Sequence, residues 1–142
     1  MFSQAALLLD TILGFRYNKV RAMKDDFTAF LPLAPAALHI LLSLAGTKRH
    51  GYGIMQEVAR QSEGKYKLGP GTLYDNLQKL MSHGLVDEVP RASEPRRRYY
   101  QLTSAGRGVL SAEILRLEEV VRAAKQSLKL PKPVLEKRGT AS

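Results

Sequence analysis

Apolar residues recur along the chain with changing period, and each change marks a new element. Behind Pro35, the run Ala36-Ala37-Leu38-His39-Ile40-Leu41-Leu42-Ser43-Leu44-Ala45 predicts a helix, with Gly46 where a left-handed C-cap is usual. After a polar turn at Thr47-Lys48-Arg49, a second helix is expected over residues 52–62, with Ile54, Met55 and Val58 inward and Gln56, Glu57 and Arg60 outward. Gly64 interrupts the pattern, and Pro70 after Gly69 opens a third helix as a first-turn proline. On this helix Leu73, Leu77, Leu80 and Met81 share one face, while Thr72, Asp75, Gln78 and Lys79 lie on the other. One side packs and the other is free to read something.

Gly84 closes the third helix, and the period then shifts to that of strands at residues 85–89 and 97–102. The link between them, Pro90-Arg91-Ala92-Ser93-Glu94-Pro95-Arg96, is polar and proline-bounded, so it reads as an exposed hairpin loop. Thr103 is placed to N-cap a last helix. Along it Leu110, Ile114, Leu117, Val121, Ala124 and Leu128 alternate steps of four and three, a heptad seam that wants a partner helix. The expected fold is therefore mainly α with a small β-hairpin: three helices and a basic hairpin in the order of a winged helix-turn-helix, plus a C-terminal dimerisation helix. The divisions are an N-terminal segment (1–32), the winged helix-turn-helix (33–103), the dimerisation helix (104–130) and a loose tail (131–142).

In the N-terminal segment an apolar patch through Ile12, Leu13 and Phe15 precedes Arg16, Lys19, Arg21 and Lys24, which reads either as a short helix or as a frayed leader. The run Ala5-Ala6-Leu7-Leu8-Leu9 is cut by Asp10 and has no basic residue before it, so neither a signal peptide nor a membrane span is expected. With 142 residues and no cysteine, a single domain in a reducing compartment, by default the cytoplasm, is the natural expectation. The balance of 22 Lys+Arg against 13 Asp+Glu leaves a formal charge of +9, which favours a polyanionic partner such as nucleic acid or an anionic membrane.

Four stretches carry a resemblance beyond this pattern: His50-Gly51-Tyr52-Gly53-Ile54, Leu68-Gly69-Pro70-Gly71-Thr72-Leu73-Tyr74, Gly84-Leu85-Val86, and Arg96-Arg97-Arg98-Tyr99-Tyr100-Gln101-Leu102-Thr103-Ser104-Ala105-Gly106. In order and spacing they resemble the PadR family of transcriptional regulators over roughly residues 33–110. With the seam pairing two copies, a homodimer on a roughly palindromic site of double-stranded DNA is expected, and the resemblance implies a repressor that responds to a small ligand or another signal. It also implies an effector pocket near the dimer interface. The chain has no tryptophan, so a pocket that stacks its ligand on indole is not expected.

A helix with Gly71 and Thr72 at its start suits the major groove, where Thr72, Asp75, Gln78 and Lys79 would meet base edges or phosphates. Asp75 would repel phosphate unless it accepts from a cytosine or pairs with a nearby lysine. Tyr74, at the border of the two faces, either packs its ring or offers its hydroxyl to phosphate. Arg91, Arg96, Arg97 and Arg98 suit phosphate or the minor groove, and Lys65 and Lys67, with Lys48 and Arg49, would add backbone contacts at the turns. Tyr52 and Gly53 read as packing between the second helix and the hairpin.

His39, His50 and His83 fall on separate elements without carboxylates at ligand spacing, so no metal ligand is assigned and no cofactor is expected. No phosphate-binding glycine loop or nucleophile elbow is present, and no catalytic residue is assigned. Two rivals to the DNA reading are a winged-helix module that binds an acidic protein and a membrane-surface protein using the first 24 residues.

Overall fold

The computed structural model describes residues 27–131, so the N-terminal apolar patch and nearly all of the tail lie outside the described residues. The elements are α1 (Pro35–Ser43), β1 (Arg49–His50), α2 (Gly51–Gln61), α3 (Pro70–Ser82), β2 (Val86–Val89), β3 (Tyr99–Leu102) and α4 (Ser104–Ser127). The architecture is a winged helix: three helices around one core, a small sheet, and a long final helix.

The proline-opened helices form as expected, with Pro35 and Pro70 at the first helical positions of α1 and α3. The end of α1 differs from expectation. It stops at Ser43 with Leu44 in an ordinary right-handed conformation, and the left-handed glycines are Gly64 and Gly84, not Gly46. Here the last carbonyls find other donors: the Ser43 hydroxyl bonds to Ile40 O (2.6 Å) and Arg49 Nε to Ser43 O (2.8 Å). At the end of α3, by contrast, Gly84 at φ 72° lets Leu85 N reach Leu80 O at 2.9 Å, and the chain turns directly into β2.

The sheet has three antiparallel strands in the order β1-β3-β2, where periodicity alone predicts a two-stranded hairpin. The extra strand is the end of the supposed polar turn, with Arg49 opposite Tyr100 and His50 opposite Tyr99. Two residues are too few to show a strand period, which is why the pattern conceals it. The β2–β3 ladder runs from Val86↔Leu102 to Val89↔Tyr99, so Leu85, Arg97 and Arg98 lie outside it. Leu85 O instead accepts from Thr103 N (3.1 Å), and Arg97 N closes a turn onto Glu94 O (3.1 Å).

The core is built from Ile40 and Leu41 of α1, Ile54 and Val58 of α2, Leu73, Leu77 and Leu80 of α3, Leu85 and Val86, Tyr100 of β3, and Val109 and Leu110 of α4. Leu110 thereby leaves the expected intersubunit seam. At that point α4 still lies against the body of the domain, and the side chain is buried within its own subunit.

Thr103 caps α4 by accepting from Gly106 N (2.9 Å) and donates to Gly84 O (2.7 Å), joining the end of α3 to the start of the last helix. The approach is so close that a Cβ on Gly106 would stand 2.0 Å from Leu85 O. Gly108 is similarly required, because a Cβ there would enter the ring of Phe27. One turn further on, Glu113 is 1% exposed, accepts from Leu33 N at 2.5 Å and pairs with Arg116. Burial opposes its ionisation, but the Arg116 guanidinium and the Leu33 N–H outweigh it and hold the carboxyl below its usual value.

Gly106→Ala is expected to destabilise the domain by about 1–3 kcal/mol in a denaturant titration, because the clash is with backbone. Gly71→Ala, on an open helix position with nothing near its Cβ, is neutral or stabilising by up to about 1 kcal/mol. Near neutral pH, Glu113→Gln loses about 1–3 kcal/mol relative to the natural sequence. Because the folded carboxyl titrates below its ordinary 4.5, its stabilisation is complete above that value and disappears as pH falls through the lower folded one. The gap between the two proteins therefore closes with acidification, and a gap independent of pH would contradict the assignment.

Candidate nucleic-acid interface

The outward face of α3 is the one anticipated from its periodicity. Gly71, Thr72, Tyr74, Asp75, Gln78 and Lys79 are exposed, while Leu73, Leu77 and Leu80 are buried beneath them. Asp75 and Lys79 pair across one turn at 3.3 Å, so the carboxylate has its lysine on the same face. Asn76, at the border, donates to Thr72 O (2.8 Å). Lys65 and Lys67 are exposed in the turn before α3, with Lys65 3.9 Å from Glu63. Arg49 is committed elsewhere: besides bonding to Ser43 O, it lies 3.6 Å from Glu57, whose carboxyl is held below its usual value mainly by its hydrogen bond from Arg60.

The wing is folded onto its own base. Tyr99 is buried, its hydroxyl donates to Glu94, and Arg91 lies over its ring at 5.1 Å from the centroid. The Tyr99 hydrogen bond, helped by Arg97, Arg91 and His50 against a desolvation penalty, keeps the Glu94 carboxyl below its ordinary value. Arg98 lies 3.5 Å from Glu88 of β2, whereas Arg96 and Arg97 form no ion pair among the described residues. All four arginines of the wing are exposed. Arg91 thus braces the loop through the Tyr99 ring, and Arg96 and Arg97 extend from it.

Between wing and helices lies a groove of about 720 Å³ lined by His50, Gly51, Tyr52, Gln56, Tyr74, Arg96, Arg97, Arg98 and Tyr100. It joins four expected site residues to five that sequence reasoning assigned otherwise or passed over. Thr72, Asp75, Gln78 and Lys79 fall outside its lining, along the exposed flank of α3. His50 N-caps α2, its Nδ1 accepting from Gly53 N at 2.9 Å. Gly53 does pack closely, since a Cβ there would stand 3.3 Å from the His50 ring. Tyr52 does not fill the space between α2 and the hairpin: it is 63% exposed, its ring parallel to that of His50 at 6.4 Å. Its place beside a short polar strand gave no periodic signal of exposure.

The other histidines are similarly occupied in packing. His39 stacks on Tyr66 at 4.2 Å and His83 meets the edge of Phe30 at 5.3 Å. Among the described residues no three His, Cys, Asp or Glu gather as a metal site, and no helix is long and apolar enough to cross a membrane.

A winged helix with a polar third helix flanked by an arginine-bearing wing is the form of a transcriptional regulator, and the likeness to known proteins agrees. Residues 40–112 match the profile of the transcriptional regulator PadR-like family. The chain belongs to that family. Among curated proteins it is similar to transcriptional regulator Rv3488 of Mycobacterium tuberculosis, 39% identical over 90 residues that cover 63% of this chain and 81% of the relative. Among solved structures it shares its fold with a PadR family transcription regulator from Clostridium difficile R20291, at TM-score 0.58 and 23% identity, covering 67% of this chain and 99% of that one. A transcriptional regulator from Clostridium thermocellum, Cth-833, is also similar, at TM-score 0.52 and 22% identity, covering 76% and 99%.

The wing brace leads to a further expectation. Tyr99→Phe keeps the ring but removes the hydrogen bond to Glu94, so hydrogen exchange at the Glu94 and Arg97 amides accelerates while overall stability falls by about 1 kcal/mol or less. Unchanged exchange at both amides would mean that the bond does not hold the loop.

Proposed function

We propose that this regulator is a homodimer that binds a roughly palindromic operator and acts as a repressor in the cytoplasm, responding to a small ligand or another signal. The observation that carries the reading is one molecule with two unsatisfied surfaces of different chemistry: the polar flank of α3 beside exposed wing arginines, and an apolar stripe on the far half of α4. Every residue from Glu118 to Pro131 is exposed, including Val121 and Leu128. An open groove of about 850 Å³ runs along this arm past Ile114, Leu117, Val121 and Leu130. Its occupant in this reading is the same helix of a second copy, with Ala124 in the seam and with Leu110 omitted because it is buried in the core.

In this dimer the two copies of α3 enter successive major grooves. Thr72 and Gln78 read base edges, and Asp75 and Lys79, as a pair, meet bases or backbone. Gly71 permits close approach of the α3 start, Tyr74 contacts phosphate, and Lys65, Lys67, Arg91, Arg96, Arg97 and Arg98 supply positive charge to the backbone. An effector that seats between the α4 arms would change the distance between the reading helices. The family membership and the excess of 22 basic over 13 acidic residues both support the DNA partner.

Two experiments test the reading. Placing Asp at both Leu117 and Val121 converts the protein to a monomer in sedimentation at low micromolar concentration. A double variant that remains fully dimeric would move the interface elsewhere. In titrations of operator and scrambled duplex at several salt concentrations, replacing Arg96 and Arg97 by Ala weakens both duplexes alike. It also flattens the slope of log affinity on log salt by about 0.9 for each phosphate that is no longer neutralised. Gln78→Ala instead narrows the gap between the duplexes by roughly 1–3 kcal/mol with little change of slope. The reverse assignment of effects would reject the docking.

A further inference from the structure

The groove between α2, α3 and the wing is lined by a tyrosine whose ring is buried and whose hydroxyl has no protein partner among the described residues. Tyr100 of β3 is 3% exposed, lines this groove, and forms no hydrogen bond through its side chain among the described residues. Its ring is buried, whereas its hydroxyl keeps access to the groove and can donate to a guest seated there. Tyr74 faces the same space from α3, close enough to influence Tyr100 electrostatically, and its hydroxyl would touch a Cβ placed on Gly51 at 2.5 Å. Gly51 is thus bare at the point where the Tyr74 hydroxyl crosses the start of α2.

That start is itself a donor. Gly51 and Tyr52 occupy the first two positions of α2, an 11-residue helix, and their N–H groups have no acceptor within the helix. The third, Gly53 N, is already taken by His50 Nδ1. The opposite wall is formed by Arg96, Arg97 and Arg98. Hydroxyl donors, N–H groups left over at the positive end of a helix dipole, and guanidinium groups all suit the same guest: a compact anion with several acceptor oxygens.

We propose that this groove is the seat of a single backbone phosphate of bound DNA, held by the hydroxyls of Tyr100 and Tyr74 and the first N–H groups of α2, with the wing arginines closing over it. The inference rests on the DNA-binding reading above, and it adds a fixed anchor distinct from the exposed flank of α3. The sheet carries Tyr100 and the helical core carries Gly51 and Tyr74, so the phosphate locks the wing to the helices. This sets the insertion depth of α3 and selects no base.

The test uses the full-length protein, with duplexes in which one phosphate at a time is replaced by a neutral methylphosphonate. Tyr100→Phe preserves the ring in the core, and thermal unfolding confirms that each variant is folded. For the natural sequence, neutralising the anchoring phosphate is expected to weaken binding roughly tenfold, through the loss of hydrogen bonds to a charged acceptor. Tyr100→Phe is expected to weaken the unmodified duplex several-fold and leave discrimination between operator and scrambled duplex unchanged. The decisive result is non-additivity: in Tyr100→Phe the anchoring phosphate costs much less to neutralise, while phosphates elsewhere cost the same as before. Inorganic phosphate, titrated as a competitor at constant ionic strength, distinguishes a polymer anchor from a site for free anion: competition at low millimolar concentration that Tyr100→Phe abolishes would assign the groove to free phosphate and overturn the DNA anchor. Equal affinity of Tyr100→Phe and the natural protein, or additive losses at every phosphate, overturns the inference while leaving DNA binding intact. Failure of the natural protein to bind any duplex overturns both.

Discussion

Thr103 and Gly106 hold three elements at one point. The Thr103 hydroxyl joins Gly84 at the end of α3 to Gly106 in the first turn of α4, and Thr103 N bonds to the Leu85 carbonyl against which Gly106 rests. The direction in which α4 leaves the sheet is fixed by these short contacts. So is its relation to α3, because Gly84 and Leu85 follow α3 immediately. A side chain at position 106 would push the two helices apart at their common origin. The bearing of α4 on the face that α3 presents is therefore set at this junction.

Along α4 a single apolar stripe changes its role. Val109 and Leu110 complete the domain's own core, and Glu113 marks the limit of that contact by clasping Leu33 on the chain leading into α1. Beyond it Leu117 is half-buried, and Val121, Ala124 and Leu128 continue the same spacing on an exposed stretch. Helical periodicity does not distinguish these two regimes, since it reports which side of a helix is apolar and is silent about what covers it. That is why Leu110 reads as seam in the sequence and is core in the fold.

The limits of sequence reading follow the same physics elsewhere. Pro35, Pro70, Thr103 and the spacing of Leu73, Leu77 and Leu80 act locally, and the elements they predict are present within a residue or two. The four motif stretches resemble the family that the profile match shows. What stays hidden depends on residues distant in sequence: β1 exists only because Tyr99 and Tyr100 are there to pair with it, and the buried charge of Glu113 is intelligible only with Leu33 and Arg116 around it. The exposed face of α3 is legible from its period, whereas the groove beside it, with Tyr52 and Tyr100, is assembled from three segments and has no linear signature.

In the wing, order is established before any partner arrives. A basic loop of this length would ordinarily sample many shapes in water, and immobilising each long side chain on a partner costs about 0.5–1.5 kcal/mol. Here Glu94 on Tyr99, Arg91 on the same ring and Arg98 beside Glu88 restrict the loop within the isolated chain. Much of that loss of freedom is met during folding. The acidic residues Glu94 and Glu88 lower the net charge of the wing, yet they also narrow the range of positions its guanidinium groups can occupy. The loop exerts a weaker long-range attraction on a polyanion and suffers a smaller entropic loss when contact is made.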